Sequence, residues 1–269
     1  YFPEIKRGLF LPLAGTSLWE DDTLPKWEER PYDVVFTGNY TPLSKFEPTI
    51  ERHGKEYADF YYGIIEDFKK HPHLGMDIGI REHLLSEVED ITEDGVKEMM
   101  PNMIMIDLYV RNYFRGKVVQ TLVDAGVSVH CFGAGWEFLP CEHPENLIKE
   151  GGVDSLACLQ ALSKAKVSLN VMPWFKDGAH DRVFNSMLNG AVCFPDWSRY
   201  LTENLRDGED IFFYELDALE CLPDMVQGIL ENRKKWEHMQ KAAYETAEKS
   251  HTWEHRAGAV HKEILSKIR

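Results

Sequence analysis

Residues 167–194 read VSLNVMPWFKDGAHDRVFNSMLNGAVCF, and this stretch decides the fold. It opens on Val167-Ser168-Leu169-Asn170-Val171-Met172, an apolar, β-branched run stopped by Pro173, the pattern of a buried parallel strand. A polar, glycine-containing loop follows. Val183, Phe184, Met187 and Leu188 then fall on one helical face that ends at Asn189-Gly190, glycine being favoured just past a helix C-terminus. Ala191-Val192-Cys193-Phe194 begins another strand. Strand, helix and strand in that order make a βαβ unit with a right-handed crossover and parallel strands.

The pattern extends outward in both directions. Upstream, Tyr32-Asp33-Val34-Val35-Phe36-Thr37 is a strand stopped by Gly38-Asn39, and Val127–Phe132 is a strand that runs into Gly133-Ala134-Gly135-Trp136. Downstream, Ile211-Phe212-Phe213-Tyr214 reads as a fifth strand. Tyr57, Tyr61, Ile64, Ile65 and Phe68 make one helical face, ended by His71-Pro72, and a more polar helical stretch covers residues 80–100. Met103, Ile106, Val110, Phe114, Val118 and Leu122 make a second apolar stripe, closed by Ala125-Gly126. A helix over Ser155–Ser163 takes Asp154 or Ser155 as N-cap and turns Leu156, Leu159 and Leu162 inward. Helices at about 216–230, 233–249 and 253–268 close the chain.

The expected fold class is therefore α/β: a Rossmann-like parallel sheet flanked by helices, with a helical insertion over about residues 43–100. Residues 1–31, which carry Pro3, Pro12, Pro25, Pro31 and the acidic run Glu20-Asp21-Asp22, read as an approach segment to a domain over 32–269.

Composition excludes several classes of function. Of 269 residues, 28% are charged and 43% hydrophobic, the balance of a chain that buries a full core. Lys and Arg number 30 against 45 Asp and Glu, a formal charge of -15, and no basic face offers itself to nucleic acid. The acidic stretch at Glu82–Glu98 reads as a solvated helical surface. Cys131, Cys141, Cys158, Cys193 and Cys221 are odd in number and scattered, which argues against a disulfide framework and for a reducing, cytoplasmic setting. No apolar run is long enough to span a bilayer. The chain opens on Tyr1 rather than Met and reads as a fragment of a longer protein.

Ligands of open parallel α/β sheets bind beyond the carboxyl ends of the strands. Three loops hold that position. Gly38-Asn39 and Gly133-Ala134-Gly135 admit close backbone approach, and Trp136 offers a ring or a wall; taken singly, either loop is equally a tight βα turn. The loop from Pro173 to Arg182 carries more chemistry. It leads into a helix N-terminus, whose unpaired N–H groups and positive dipole end suit a diphosphate. Gly178 and Ala179 are small, His180 donates to a phosphate or sugar hydroxyl, and Arg182 supplies a planar fork of donors. Asp177 and Asn185, eight positions apart, are expected to face one pocket. The plainer alternative is a charged cluster capping a helix. Gly133-x-Gly135 lacks the third glycine of a dinucleotide fingerprint, and no Walker loop is present. Cys131, Cys141 and His143 match no standard zinc spacing, and His251 with His255 reads as a cap and a surface residue.

In sum and order, YDVVFTGNY, VSVHCFGAGW, LSKAKVSLNVMPW, GAHDRVFNSMLNGAVCFPD and the late HTWEHR resemble the CgeB-type spore-maturation family of glycosyltransferases. More broadly they are similar to the C-terminal, donor-binding domain of GT-B enzymes related to family 4. The resemblance covers about residues 30–269, and LFLPLAGT in the approach segment is similar to the family's interdomain crossing. It implies a nucleoside-diphosphate sugar as donor substrate, no cofactor, no essential metal, an acceptor of unknown kind, and a preceding Rossmann-like domain. It also implies that Gly38-Asn39 approaches the phosphates or sugar and that Gly133–Trp136 borders the base. The family's pair of glutamates corresponds to Asp177 and Asn185, a departure that weakens the acceptor strength at the second position. Two other readings stand beside transfer: a non-catalytic carbohydrate- or nucleotide-binding module, or a structural protein of a spore surface, that keeps the fold with an eroded site; and a nucleotide-dependent oxidoreductase, which the incomplete glycine fingerprint disfavours.

Overall fold

The computed structural model describes residues 8–19, 23–173 and 175–268; Pro3, the Glu20-Asp21-Asp22 run and Trp174 lie outside them. Its centre is one five-stranded sheet in the order β3-β2-β1-β4-β5, from β1 (Tyr32–Thr37), β2 (Val129–Phe132), β3 (Leu147–Gly151), β4 (Ala165–Asn170) and β5 (Val192–Pro195). Every pairing is parallel, with Val34 opposite Val129 on one side and Val167 on the other. Alternate residues serve opposite faces. Val34, Phe36, Val129, Val167, Leu169 and Phe194 join one core cluster, whereas Val35 and Cys193 face the other side. Both faces are covered, as a parallel sheet requires.

Between β1 and the long helix α5 (Ile104–Asp124) lie four helices: α1 (Glu47–Glu51), α2 (Lys55–Lys70), α3 (Met76–Glu87) and α4 (Glu93–Met99). This is the helical region expected over 43–100. The stripe from Met103 to Leu122 is buried throughout, and so are Tyr61, Ile64, Ile65 and Phe68 of α2, while Tyr57 at its first turn stays partly in solvent. α5 ends as the sequence implies. Gly126 adopts φ 87, and the Gly126 and Val127 amides donate back to the carbonyls of Val123 and Leu122, satisfying helix-end acceptors in a Schellman motif.

The remaining helices are α6 (Ser155–Ser163), α7 (Asp181–Leu188), α8 (Arg199–Asn204), α9 (Leu222–Leu230), α10 (Arg233–Ser250) and α11 (Trp253–Ile268). Asp154 caps α6 by accepting the Ala157 amide. Leu162 is buried there and Leu159 partly so, but Leu156 is 55% exposed, because it stands on the first turn while Ala161 and Leu162 cover the sheet.

Two strand assignments change. Leu147–Gly151 pairs with β2 as the edge of the sheet, yet only Leu147 is buried, so the segment shows no apolar alternation. Ile211–Tyr214 is not a strand. The Phe212 and Tyr214 amides donate to Cys193 and Pro195, but the Ile211 carbonyl is taken by the Gly208 amide in a tight turn, and only single bridges form. Its apolar side chains fill the core instead of extending a ladder.

The approach segment is more firmly tied down than its composition implies. Gly15 donates to the His251 carbonyl, Leu18 to the Asn189 side chain, and Arg256 of α11 reaches the Pro12 and Leu13 carbonyls. Arg30 is 1% exposed and donates to the Pro25, Ala165 and Asn189 carbonyls, and burial pulls its pKa down to about 9.

His251, expected to cap a helix, is the C-cap of α10, its amide donating to the Ala247 carbonyl; it is 3% exposed, and its ring stacks on Phe184 at 4.3 Å and 7°. Burial, with Arg256 and His255 nearby, lowers its pKa to about 4. The unfolded chain, with a histidine pKa near 6.5, therefore takes up a proton first as pH falls. Stability is expected to be full above about pH 6.5 and to drop by up to about 3 kcal/mol as pH falls to about 4. Denaturant melts across that window check this, and His251→Phe should flatten the dependence.

Candidate functional site

The order of strands reverses between β1 and β4: the chain proceeds from β1 to β2 and β3 on one side, then returns to β4 and β5 on the other. A crevice at the carboxyl edge is expected at such a switch point. A cleft of ≈ 380 Å³ opens there, bordered by Gly38 and Asn39 after β1, Gly133 after β2, and His180, Arg182 and Asn185 at the start of α7. Its volume is at the lower end of that of small-ligand sites. A larger cavity of ≈ 1020 Å³ lies in the helical insertion, lined by Tyr57, Phe60 and Met103, away from these strand ends.

The turns that shape the cleft are locked to one another. The Gly38 amide donates to Phe132, Tyr40 to Ala134, and the Asn39 side chain accepts the Ala134 amide at 2.9 Å. Gly135 adopts φ 91, and a Cβ there would collide with the Tyr40 carbonyl, so this glycine serves the close approach of two loops. Trp136 is 1% exposed, stacks on Tyr40, and donates its indole N–H to the Gly38 carbonyl at 2.8 Å. It braces the turn beneath the cleft and presents no free ring face to a base.

Two arginines supply the charge. Arg182 donates from Nη1 to the Thr37 carbonyl and lies over the Phe36 ring at 5.5 Å, while its Nε and Nη2 are buried without partners. Arg115, from the middle of α5, donates from Nη1 to the Asn39 carbonyl at 2.7 Å, and its Nε is likewise buried and unpartnered. Burial lowers both pKa values, that of Arg115 to about 9, with Arg182 adding to the shift. The carboxylates nearest to them are engaged elsewhere. Asp107 takes a two-pronged contact from Arg111, and Asp181 lies 2.6 Å from His180 Nδ1. Burial lowers the His180 pKa against the opposing pull of Asp181, which favours a neutral imidazole. A chain of charge -15 thus places two incompletely satisfied guanidinium groups at one strand edge. Unmet donors cost about 1–3 kcal/mol each, and an anion would relieve them.

The residues expected at the site divide. Gly38, Asn39, Gly133, His180, Arg182 and Asn185 border one cleft. Gly135, Trp136, Gly178 and Ala179 lie behind it; Gly178 is boxed in by the Phe175 ring and its carbonyl accepts from Ser198. Asp177 is not brought to the cleft. Its side chain is 75% exposed and meets Arg199 at 3.1 Å. The eight-residue spacing to Asn185 fails as a common face because α7 begins only at Asp181, and the turn closed by Gly178 onto Phe175 points the preceding residue outward. Asn185 is itself engaged, accepting the Thr16 amide at 2.8 Å and donating to Asp181.

Sequence reasoning missed Arg115, Thr16 and the wall formed by Ser155, Cys158 and Leu159 of α6. Arg115 stands in mid-helix with nothing local to distinguish it. Thr16 reaches the site from 169 positions away in the chain.

A family model described as glycosyl transferase-like matches residues 115–262, more than half of the chain. The chain belongs to the glycosyl transferase-like family. No curated protein matches it. Among solved structures it is similar to T4 phage BGT in complex with UDP-glucose, at 15% identity and a TM-score of 0.48, covering 92% of this chain and 52% of that one. It is also similar to TarM, at 15% identity and 0.46, covering 58% and 32%. A third is the pneumococcal O-GlcNAc transferase GtfA in complex with UDP and GlcNAc, at 11% and 0.43, covering 96% and 39%. The chain spans between about a third and a half of the length of these proteins.

Proposed function

We propose that the cleft at the start of α7 binds the diphosphate of a nucleotide sugar, and that the protein transfers the sugar to an acceptor. The observation that carries this reading is the pair Arg115 and Arg182, whose buried guanidinium nitrogens lack acceptors at the edge where the Gly38 turn meets a helix N-terminus. A phosphate that draws the Arg182 fork outward by side-chain rotation gives those nitrogens charge-assisted hydrogen bonds. Arg115 holds the Asn39 carbonyl and adds positive potential behind the turn. His180, partly exposed, spends its single N–H on Asp181 when neutral, so its Nε2 accepts from a sugar hydroxyl. Charge developing on the leaving diphosphate is stabilised by the same guanidinium donors, without a bound metal taking part.

Within the family we place the chain with the CgeB-type group, on the order of its motifs, and in a reducing cytoplasmic setting, which the five free cysteines support. Among the described residues no helix is long and apolar enough to cross a membrane. The acceptor side of the reaction is assigned to a separate Rossmann-like domain. Calorimetry with uridine, guanosine, adenosine and thymidine diphosphates and their sugars tests the donor site. At least one series should bind, with the diphosphate contributing most of the affinity; no binding across the panel would sink the proposal.

A further inference from the structure

Outside the cleft, three side chains from two distant parts of the chain converge at the carboxyl edge of the sheet. His73 belongs to the turn between α2 and α3, and Glu215 and Asp217 follow Tyr214 beside β5. Nε2 of His73 lies 3.4 Å from Oε2 of Glu215 and 3.6 Å from Oδ2 of Asp217, and one ligand atom from each of the three lies within 4.8 Å of the others.

We propose that His73, Glu215 and Asp217 form a zinc-type transition-metal site that clamps the helical insertion to the sheet. Zinc bonds nitrogen and carboxylate oxygen at about 2.0–2.2 Å, which sets tetrahedral ligand atoms about 3.3–3.5 Å apart. The two histidine–carboxylate separations fall at or just beyond that value. A second observation points the same way: Oε2 of Glu215 is buried and, apart from the 3.4 Å contact with His73, has no hydrogen-bond partner. A cation would remove the cost of holding two carboxylates together there.

The frame behind the three ligands is firm on one side. Tyr214 donates its hydroxyl to the Asn170 carbonyl at 2.9 Å and its amide to Pro195, while the Trp197 ring meets His73 edge-on at 5.8 Å. One imidazole and two carboxylates suit zinc or a neighbouring transition ion, whereas magnesium prefers an all-oxygen octahedron. A fourth position is left for water. The site is separate from the phosphate-binding residues, so it stands or falls independently of sugar transfer.

The test is calorimetric titration of the whole chain, stripped by a chelator, with zinc chloride and in parallel with magnesium chloride. Zinc should bind once and raise Tm, and magnesium should do neither. His73→Ala and Asp217→Asn, both at exposed positions, should each weaken zinc at least about tenfold, of the order seen when metal-site partners are lost. Cobalt in place of zinc should show visible ligand-field bands without thiolate charge transfer. No zinc binding, binding undiminished in both variants, or a thiolate signature that assigns the ion to cysteines would each overturn the assignment.

Discussion

Arg182→Ala is expected to weaken nucleoside diphosphates about a hundredfold while changing bare nucleosides only a few-fold. A charge-assisted hydrogen bond is worth about 1.5–3 kcal/mol, and about 1.4 kcal/mol is a factor of ten. Arg182 brings two unused nitrogens and a full charge into a site that desolvation makes unusually responsive to an anion. Arg182→Lys keeps the charge but loses the planar fork, so it should recover only part of the affinity. The contrast between diphosphate and nucleoside separates a ligand contact from a collapse of the loop. Arg182 also anchors the Thr37 carbonyl, and damage to that anchor would weaken both ligands alike. Equal losses for both in calorimetry would remove Arg182 from the phosphate site.

The second large effect concerns stability. Asp196, at the end of β5, is fully buried and accepts both the Met172 amide and the Lys176 ammonium, the latter at 2.8 Å. Lys176 is buried as well and reaches the Trp197 carbonyl. Removing one partner of a buried ion pair leaves an uncompensated charge, at a cost of about 3–5 kcal/mol. Asp196→Ala should therefore lower the unfolding free energy by about that amount, read from denaturant melts. Lys176→Met with Asp196→Leu should recover much of it, since apolar replacement of both partners is often neutral. A loss below about 1 kcal/mol for the single variant would show that the pair is solvated in solution. The pair also braces the Pro173–Arg182 loop from below, so donor affinity should fall in the same variant.

Much of this protein is legible without coordinates, for a physical reason. Apolar side chains at period two or near three and a half bury themselves whatever lies across the core, so β1, β2, β4, β5 and most helices follow from local pattern. The α7 start, with His180 and Arg182, is legible as a candidate because strand-end loops of this topology face solvent at the ligand-binding edge. The pattern misleads where burial and hydrogen bonding part company. Ile211–Tyr214 is apolar yet spends its carbonyl on a turn, and Leu147–Gly151 is polar yet pairs at the sheet edge.

What the tertiary structure alone decides is which side chains meet. Arg115 joins Arg182, Thr16 joins Asn185, and His73 joins Glu215 across separations that no local spacing encodes. Asp177 and Trp136 show the converse: both occupy promising positions, but a turn sends one to Arg199 and a glycine-permitted loop contact buries the other. Local sequence determines which backbone conformations are cheap. Only the closing of distant segments onto one sheet determines which donors are left unmet, and those unmet donors mark the candidate site.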